Sequence, residues 1–166
     1  GGISNVTSAS KFQDSMDNDN SLDAEAKLFA GDIAPGNCLI DQWIRNNSKY
    51  KYDKDGLIAQ SGKVNELILN QAIDNFLPRE NHQVKSLDVK DFDISFVRGL
   101  SLEDGAATLT HFTARLISEG LIHFMLKNYA PQTNTLSKAK CLVCGGGRKN
   151  KYLIEILKKN LNIKEL

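Results

Sequence analysis

The sequence predicts an α/β layered domain. Three observations carry that prediction. A strand-like segment, Ile3 to Ala9, opens the chain. Several stretches place apolar residues at helical spacing. Near the end, Lys140 to Cys144 reads as a buried strand that meets Gly145-Gly146-Gly147 and then a helix, Tyr152 to Leu161. With 166 residues there is material for one domain with a core.

The first strand is followed by a polar, turn-rich run, Asp14 to Ser21, and by Ala26 to Ile33, which predicts a β-hairpin with a solvated tip. Asp17, Asp19 and Asp23 do not make a calcium loop, because Leu22 stands where the loop needs glycine and Leu28 where it needs glutamate. Ala34-Pro35-Gly36-Asn37 is a tight turn into a helix from Cys38 to about Asn47. Asn37 is its expected N-cap, and Leu39, Ile40, Trp43 and Ile44 are its apolar stripe. A polar loop, Ser48 to Asp55, leads to a helical region from about Gly56 to Asn75, with Val64, Leu67, Ile68 and Ala72 on one face. Phe76 to Asp93 reads as an irregular covering loop. The longest helix is expected from about Leu102 to Asn128, interrupted only by Gly105 and Gly120, with Leu109, Phe112, Leu116, Ile117, Leu121, Phe124 and Met125 on its buried face. A linker, Ala130 to Ser137, feeds the glycine-rich strand.

Composition narrows the function classes. A net charge of +1 offers no case for nucleic acid or an anionic membrane as partner. No apolar run approaches the roughly 20 residues that span a bilayer, and no secretory signal pattern is present. Three cysteines, Cys38, Cys141 and Cys144, fit reduced thiols in a cytoplasm. Within a strand, Cys141 and Cys144 would point to opposite faces, so they do not read as a metal or redox pair. His111 and His123 lie more than three helical turns apart and cannot share a metal. His82 has no partner in sequence.

The glycine run is where chemistry enters. Three glycines remove every Cβ at the end of the strand, so backbone can approach a flat or anionic ligand. The following helix would aim its free N–H groups and positive dipole end at the same place. An ordinary structural turn is the alternative that the residues alone leave open. A dinucleotide-binding Rossmann unit is disfavoured, since its glycine turn comes early and needs an acidic residue about 20 positions later.

Five segments, in this order, carry a resemblance. They are Gly1-Gly2-Ile3-Ser4-Asn5-Val6-Thr7; Asp32-Ile33-Ala34-Pro35-Gly36-Asn37 with Leu39-Ile40-Asp41 and Trp43; Lys85-Ser86-Leu87-Asp88 with Phe92; Glu103 to Thr110 with Phe112-Thr113-Ala114; and Cys144-Gly145-Gly146-Gly147 with Asn150. Together they resemble the C-terminal lobe of the anhydro-N-acetylmuramic acid kinase family, within the actin/hexokinase/Hsp70-like ATPase superfamily. Two positions depart from the family pattern. Ile33-Ala34 replaces threonine-glycine in the turn, and Val89 stands where the lysine-serine loop has arginine.

The resemblance implies a ribonuclease H-like (actin-like ATPase) lobe, with a mixed sheet flanked by helices. It implies that residues 1–166 are one lobe of a two-lobe sugar kinase, cut at both ends, with the first phosphate loop and the catalytic aspartate upstream of Gly1 and a sugar-side segment beyond Leu166. The implied reaction moves the γ-phosphoryl of ATP to the 6-oxygen of 1,6-anhydro-N-acetylmuramic acid while water opens the anhydro ring. The product, N-acetylmuramic acid 6-phosphate, re-enters metabolism in peptidoglycan recycling. ATP and Mg²⁺ are the implied cofactors, the amino sugar and ATP the implied partners, a homodimer the implied assembly, and the cytoplasm the implied location. No nucleic acid or membrane partner is expected.

By the same resemblance, Gly1 and Gly2 let the hairpin approach the β- and γ-phosphates. Gly145, Gly146 and Gly147 let adenosine lie against backbone, with Asn150 capping the helix or touching the ribose. Asp32 holds a Mg²⁺-bound water or orients the sugar, with Gly36 and Asn37 beside it. Lys85 reaches the lactyl carboxylate or a phosphate. No catalytic residue and no direct metal ligand is expected in this chain. Another sugar kinase of the superfamily, and a non-catalytic nucleotide- or amino-sugar-binding fragment, are the competing readings.

Overall fold

A computed structural model describes residues 2–11, 26–76, 88–129 and 140–163. Gly1, His82, Lys85, the tip of the hairpin and the linker Ala130 to Ser137 lie outside the described residues. The described chain is a mixed α/β arrangement. Strand β1 (Ile3–Lys11) pairs antiparallel with β2 (Ala26–Pro35), from Ile3 opposite Pro35 to Lys11 opposite Ala26. The register breaks between Ser4 and Asn5, which face Ala34 and Asp32, so Ile33 is the extra residue of a bulge. The sheet of the described residues is these two strands alone.

Helix α1 (Cys38–Asn47) buries the expected stripe, Leu39, Ile40, Trp43 and Ile44. The helix expected over 56–75 is instead two helices, α2 (Leu57–Ser61) and α3 (Glu66–Phe76). The break has a tertiary cause. At Gly62 the chain presses on the backbone of Glu103 and Asp104 at the start of the long helix. Lys63 N then donates to Asp104 Oδ1 at 2.8 Å and Asn65 N to Thr108 Oγ1 at 3.1 Å, so side chains take amides that a continuous helix would use internally. Asn65 Oδ1 accepts from Ile68 N at 3.1 Å and starts α3 afresh.

Helix α4 (Leu102–Tyr129) is the centre of the fold, touching β2, α1, α2, α3 and the last helix, α5 (Lys151–Leu161). Its glycines mark close approaches. Gly105 lies under the Trp43 ring, whose Nε1 is 2.7 Å from where a Cβ would stand, and Gly120 lies 2.8 Å by the same measure from the carbonyl oxygen of the bulged Ile33. Buried hydroxyls of Thr108, Thr110 and Ser118 donate to the carbonyls of Asp104, Ala106 and Ala114 at 2.8 Å each. The main core gathers Leu39, Ile40, Ile44, Val97 and Leu109, with Phe76 stacked on Phe92 at 5.5 Å and Phe96 against Phe112 at 5.1 Å. On another face of α4, Ala114 meets Leu153, Ile156 and Leu157 of α5. No helix among the described residues is long and apolar enough to cross a membrane.

The expected buried strand at 140–144 is not formed. These residues have no ladder partner among those described, and Leu142 is 86% exposed. An apolar run becomes a strand only where a neighbouring strand takes up its N–H and C=O groups.

Candidate functional site

The site is built from the start of α5 outward. Gly145 has φ 78° and ψ −163°, a conformation essentially closed to residues with a Cβ. It turns the chain into one 3₁₀ turn, Gly146–Lys149, which takes in the second and third glycines and which the residue pattern does not predict. Asn150 closes that turn by donating its backbone N–H to Gly147 O at 3.0 Å. Its side chain, buried at 3% exposure, accepts from Leu153 N at 3.1 Å and caps α5.

Three adjacent glycines therefore play different parts. Gly145 is required by its backbone. Gly146 and Gly147 have no positive φ, and a Cβ on either would meet no described residue within 4 Å. Their bareness serves no contact of the described chain. Gly146 borders an open cavity of about 440 Å³ lined by Val143, Cys144, Gly145, Gly146, Arg148 and Lys149, and Gly147 follows it in the chain. Arg148 and Lys149, both exposed, bring cations to a site where the sequence reading had only glycines; their place next to the glycine run was the available signal.

The helix end does not face this cavity as an open anion site. Leu153 N is already bonded to Asn150, and Gly56, buried and in the left-handed region at φ 78°, lies against Tyr152: a Cβ there would be 3.2 Å from Tyr152 N. The chain itself occupies the first turn of α5.

The hairpin base holds the second group of expected residues. Gly36 N donates to Gly2 O at 2.8 Å, which joins the two glycines directly. A Cβ on Gly2 would come within 2.7 Å of Val89 Cγ2, so its bareness admits Val89. Asp32 is half-buried on β2 opposite Asn5. Asn37 corrects an expectation. Its backbone is already helical (φ −69°, ψ −5°) and its side chain makes no cap hydrogen bond; its carbonyl, instead, accepts from Asp41 N at 2.8 Å. Its Oδ1 is buried and has no hydrogen-bond partner among the described residues. The glycine turn and the hairpin base are tied through α4, which carries β2 at Gly120 and α5 at Ala114.

The titratable groups near α5 are structural in character. His111 Nε2 lies 3.3 Å from Tyr152 Oη, and burial holds its pKa below the ordinary imidazole value. Burial also raises the Tyr152 phenol and the Cys141 thiol. His123 is exposed. Among the described residues no group of three or more His, Cys, Asp or Glu side chains is placed to hold a metal ion.

Known proteins supply the class. The family model described as anhydro-N-acetylmuramic acid kinase matches residues 1–166. It is 44% identical over 161 residues to an anhydro-N-acetylmuramic acid kinase of Pelagibacter ubique, covering 97% of this chain and 38% of that protein. It is 37% identical over 143 residues to one from Zymomonas mobilis, with 84% and 35% covered, and 33% identical over 158 residues to one from Caulobacter vibrioides, with 95% and 36% covered. The chain belongs to the anhydro-N-acetylmuramic acid kinase family. It spans a little over a third of the length of these curated relatives.

Proposed function

We propose that this chain is the adenosine-side lobe, of actin-like ATPase type, of a kinase that phosphorylates 1,6-anhydro-N-acetylmuramic acid. The sugar's 6-oxygen receives the phosphoryl group as water opens the bridge to carbon 1, giving N-acetylmuramic acid 6-phosphate for peptidoglycan recycling in the cytoplasm. The carrying observation is the pair Gly146 and Gly147, bare of Cβ where neither their backbone conformation nor any packing among the described residues asks for it. Such a surface fits a flat base and ribose laid on backbone.

ATP, accompanied by Mg²⁺ on its phosphates, supplies the γ-phosphoryl group. This chain's residues bind and orient it. Gly145 shapes the turn, Asn150 fixes the turn to α5, and Arg148 and Lys149 offer charge to the phosphates. Asn37, whose buried Oδ1 has no partner among the described residues, and Asp32, Gly2 and Gly36 form the hairpin base that faces phosphate or sugar in this reading; the same role for Gly1 and Lys85 rests on the family resemblance alone. The assembled enzyme is a homodimer in this reading.

A coupled assay of the full-length protein with ATP and 1,6-anhydro-N-acetylmuramic acid tests it. ADP release with N-acetylmuramic acid 6-phosphate as product is expected. Turnover with a different sugar and none with this one would establish another sugar kinase of the superfamily. No ATP use with any sugar would leave a binding fragment.

A further inference from the structure

We propose that the Asp53–Gly56 turn is a brace that positions the glycine turn for the nucleotide, with Gly56 as its positioning residue. The inference rests on the kinase reading but on different residues, none of which lines the cavity.

The brace is fastened at three points. Asp53, 5% exposed, accepts from Ile58 N and Ala59 N at 2.9 Å each, one bond to each carboxylate oxygen. Gly62, at the far end of α2, is pressed onto the first turn of α4. The tip of the turn is pressed onto the start of α5. There Asp55 and Gly56 are both left-handed, at φ 57° and 78°, and Asp55 Oδ1 lies 3.4 Å from Lys151 Nζ. A Cβ on Gly56 would collide with Asn150 Oδ1 and stand 2.6 Å from Tyr152 Cβ.

Asn150 is the shared part. Its side chain rests against Gly56 and caps Leu153, while its backbone N–H closes the 3₁₀ turn on Gly147. Whatever moves the Asn150 side chain moves the bed on which adenosine would lie. A left-handed Asp55 is costly in a chain that needed only a connection between α1 and α2, and Gly56 after it holds a left-handed conformation suited to glycine. They bring backbone, and no side chain, to the one place where a side chain would push Asn150 aside.

The test uses the full-length kinase. Gly56→Ala should raise the KM for ATP at least tenfold and leave the KM for the sugar within twofold. Leu69→Ala, a buried α3 side chain outside the turn, serves as the matched destabilised variant. It should lower Tm and leave the KM for ATP within twofold. An unchanged KM for ATP in Gly56→Ala, or an equal rise in both variants, overturns the proposal. Should Gly56→Ala not accumulate folded, hydrogen exchange of the wild type decides. By reciprocity, saturating ADP should slow exchange at the Ile58 and Ala59 amides, and unaltered exchange overturns the brace. Wild-type enzyme that uses no ATP sinks the kinase reading itself, before any variant is compared.

Discussion

Replacing the three glycines one at a time should separate structure from ligand binding. Gly145→Ala forces a Cβ into a backbone conformation that only glycine holds comfortably, at a cost of about 1–3 kcal/mol. At about 2–4 °C per kcal/mol for a domain of this size, Tm should fall by about 2–12 °C. Gly146→Ala and Gly147→Ala meet no neighbour among the described residues and no forbidden φ. Restricting the unfolded chain then makes each neutral or stabilising by up to about 1 kcal/mol. The added methyl nevertheless stands on the surface assigned to adenosine. One methyl that a ligand cannot accommodate weakens binding by about 1–3 kcal/mol, or about 10–200-fold. Thermal unfolding and calorimetric ATP titration of the full-length protein read the two effects separately. Unchanged ATP affinity in both Gly146→Ala and Gly147→Ala would refute the adenosine bed. A loss of Tm in either as large as in Gly145→Ala would refute the reading of these positions as open space.

Arg148→Gln combined with Lys149→Gln should weaken ATP about tenfold or more and leave adenosine affinity unchanged; equal loss of both would assign the cations to the turn's shape instead. Trp43→Phe removes the indole donor to Leu102 O, a 2.9 Å bond, and should cost about 1–3 kcal/mol in urea unfolding; an unshifted midpoint would count that bond as worthless. His111 has a folded pKa depressed below 6.5 by burial, so the unfolded chain binds its proton more readily. Its stabilising contribution is present above about pH 6.5 and is lost as pH falls below that value toward the folded pKa. Tm should therefore drop from pH 7 to pH 5.5 at about the same buffer ionic strength, and His111→Gln should flatten the profile. Asp41, raised by burial, acts with the opposite sign, losing stability as pH rises through the range above 3.8, so it does not mimic His111.

Elements whose cause is local were readable in the chain. The stripe Leu39, Ile40, Trp43, Ile44 specifies α1, and the long amphipathic run specifies α4 within one residue of its observed end. Asn150 as cap of α5 was readable for the same reason. What failed was set elsewhere. Helix 56–75 breaks because Asp104 and Thr108 take its amides, and 140–144 is no strand, having no ladder partner among the described residues. Asn37 does not cap because its own backbone is already helical, which residue type does not reveal. Of the site, the glycine turn is visible as a pattern, while Gly56 reads only as the first residue of the expected helical region. Asp53-Lys54-Asp55-Gly56, a turn-forming run ending in glycine, was the signal that marked it.

The closed end of α5 decides how the site must divide its labour. A strand, glycines and a helix invite the expectation that the helix dipole holds a phosphate. Here an anion approaching end-on would have to displace Asn150 from Leu153 N and Gly56 from Tyr152. In the proposed reading the glycine turn therefore takes the flat, uncharged part of the ligand. Charge has to be met by side chains such as Arg148 and Lys149 or by the hairpin base around Gly2 and Gly36. Adenosine should therefore compete with ATP in the full-length protein, while inorganic phosphate at the same concentration should leave adenosine binding unaltered. Phosphate that expelled adenosine would mean that the α5 end opens after all, and Asn150 would then be a gate rather than a cap.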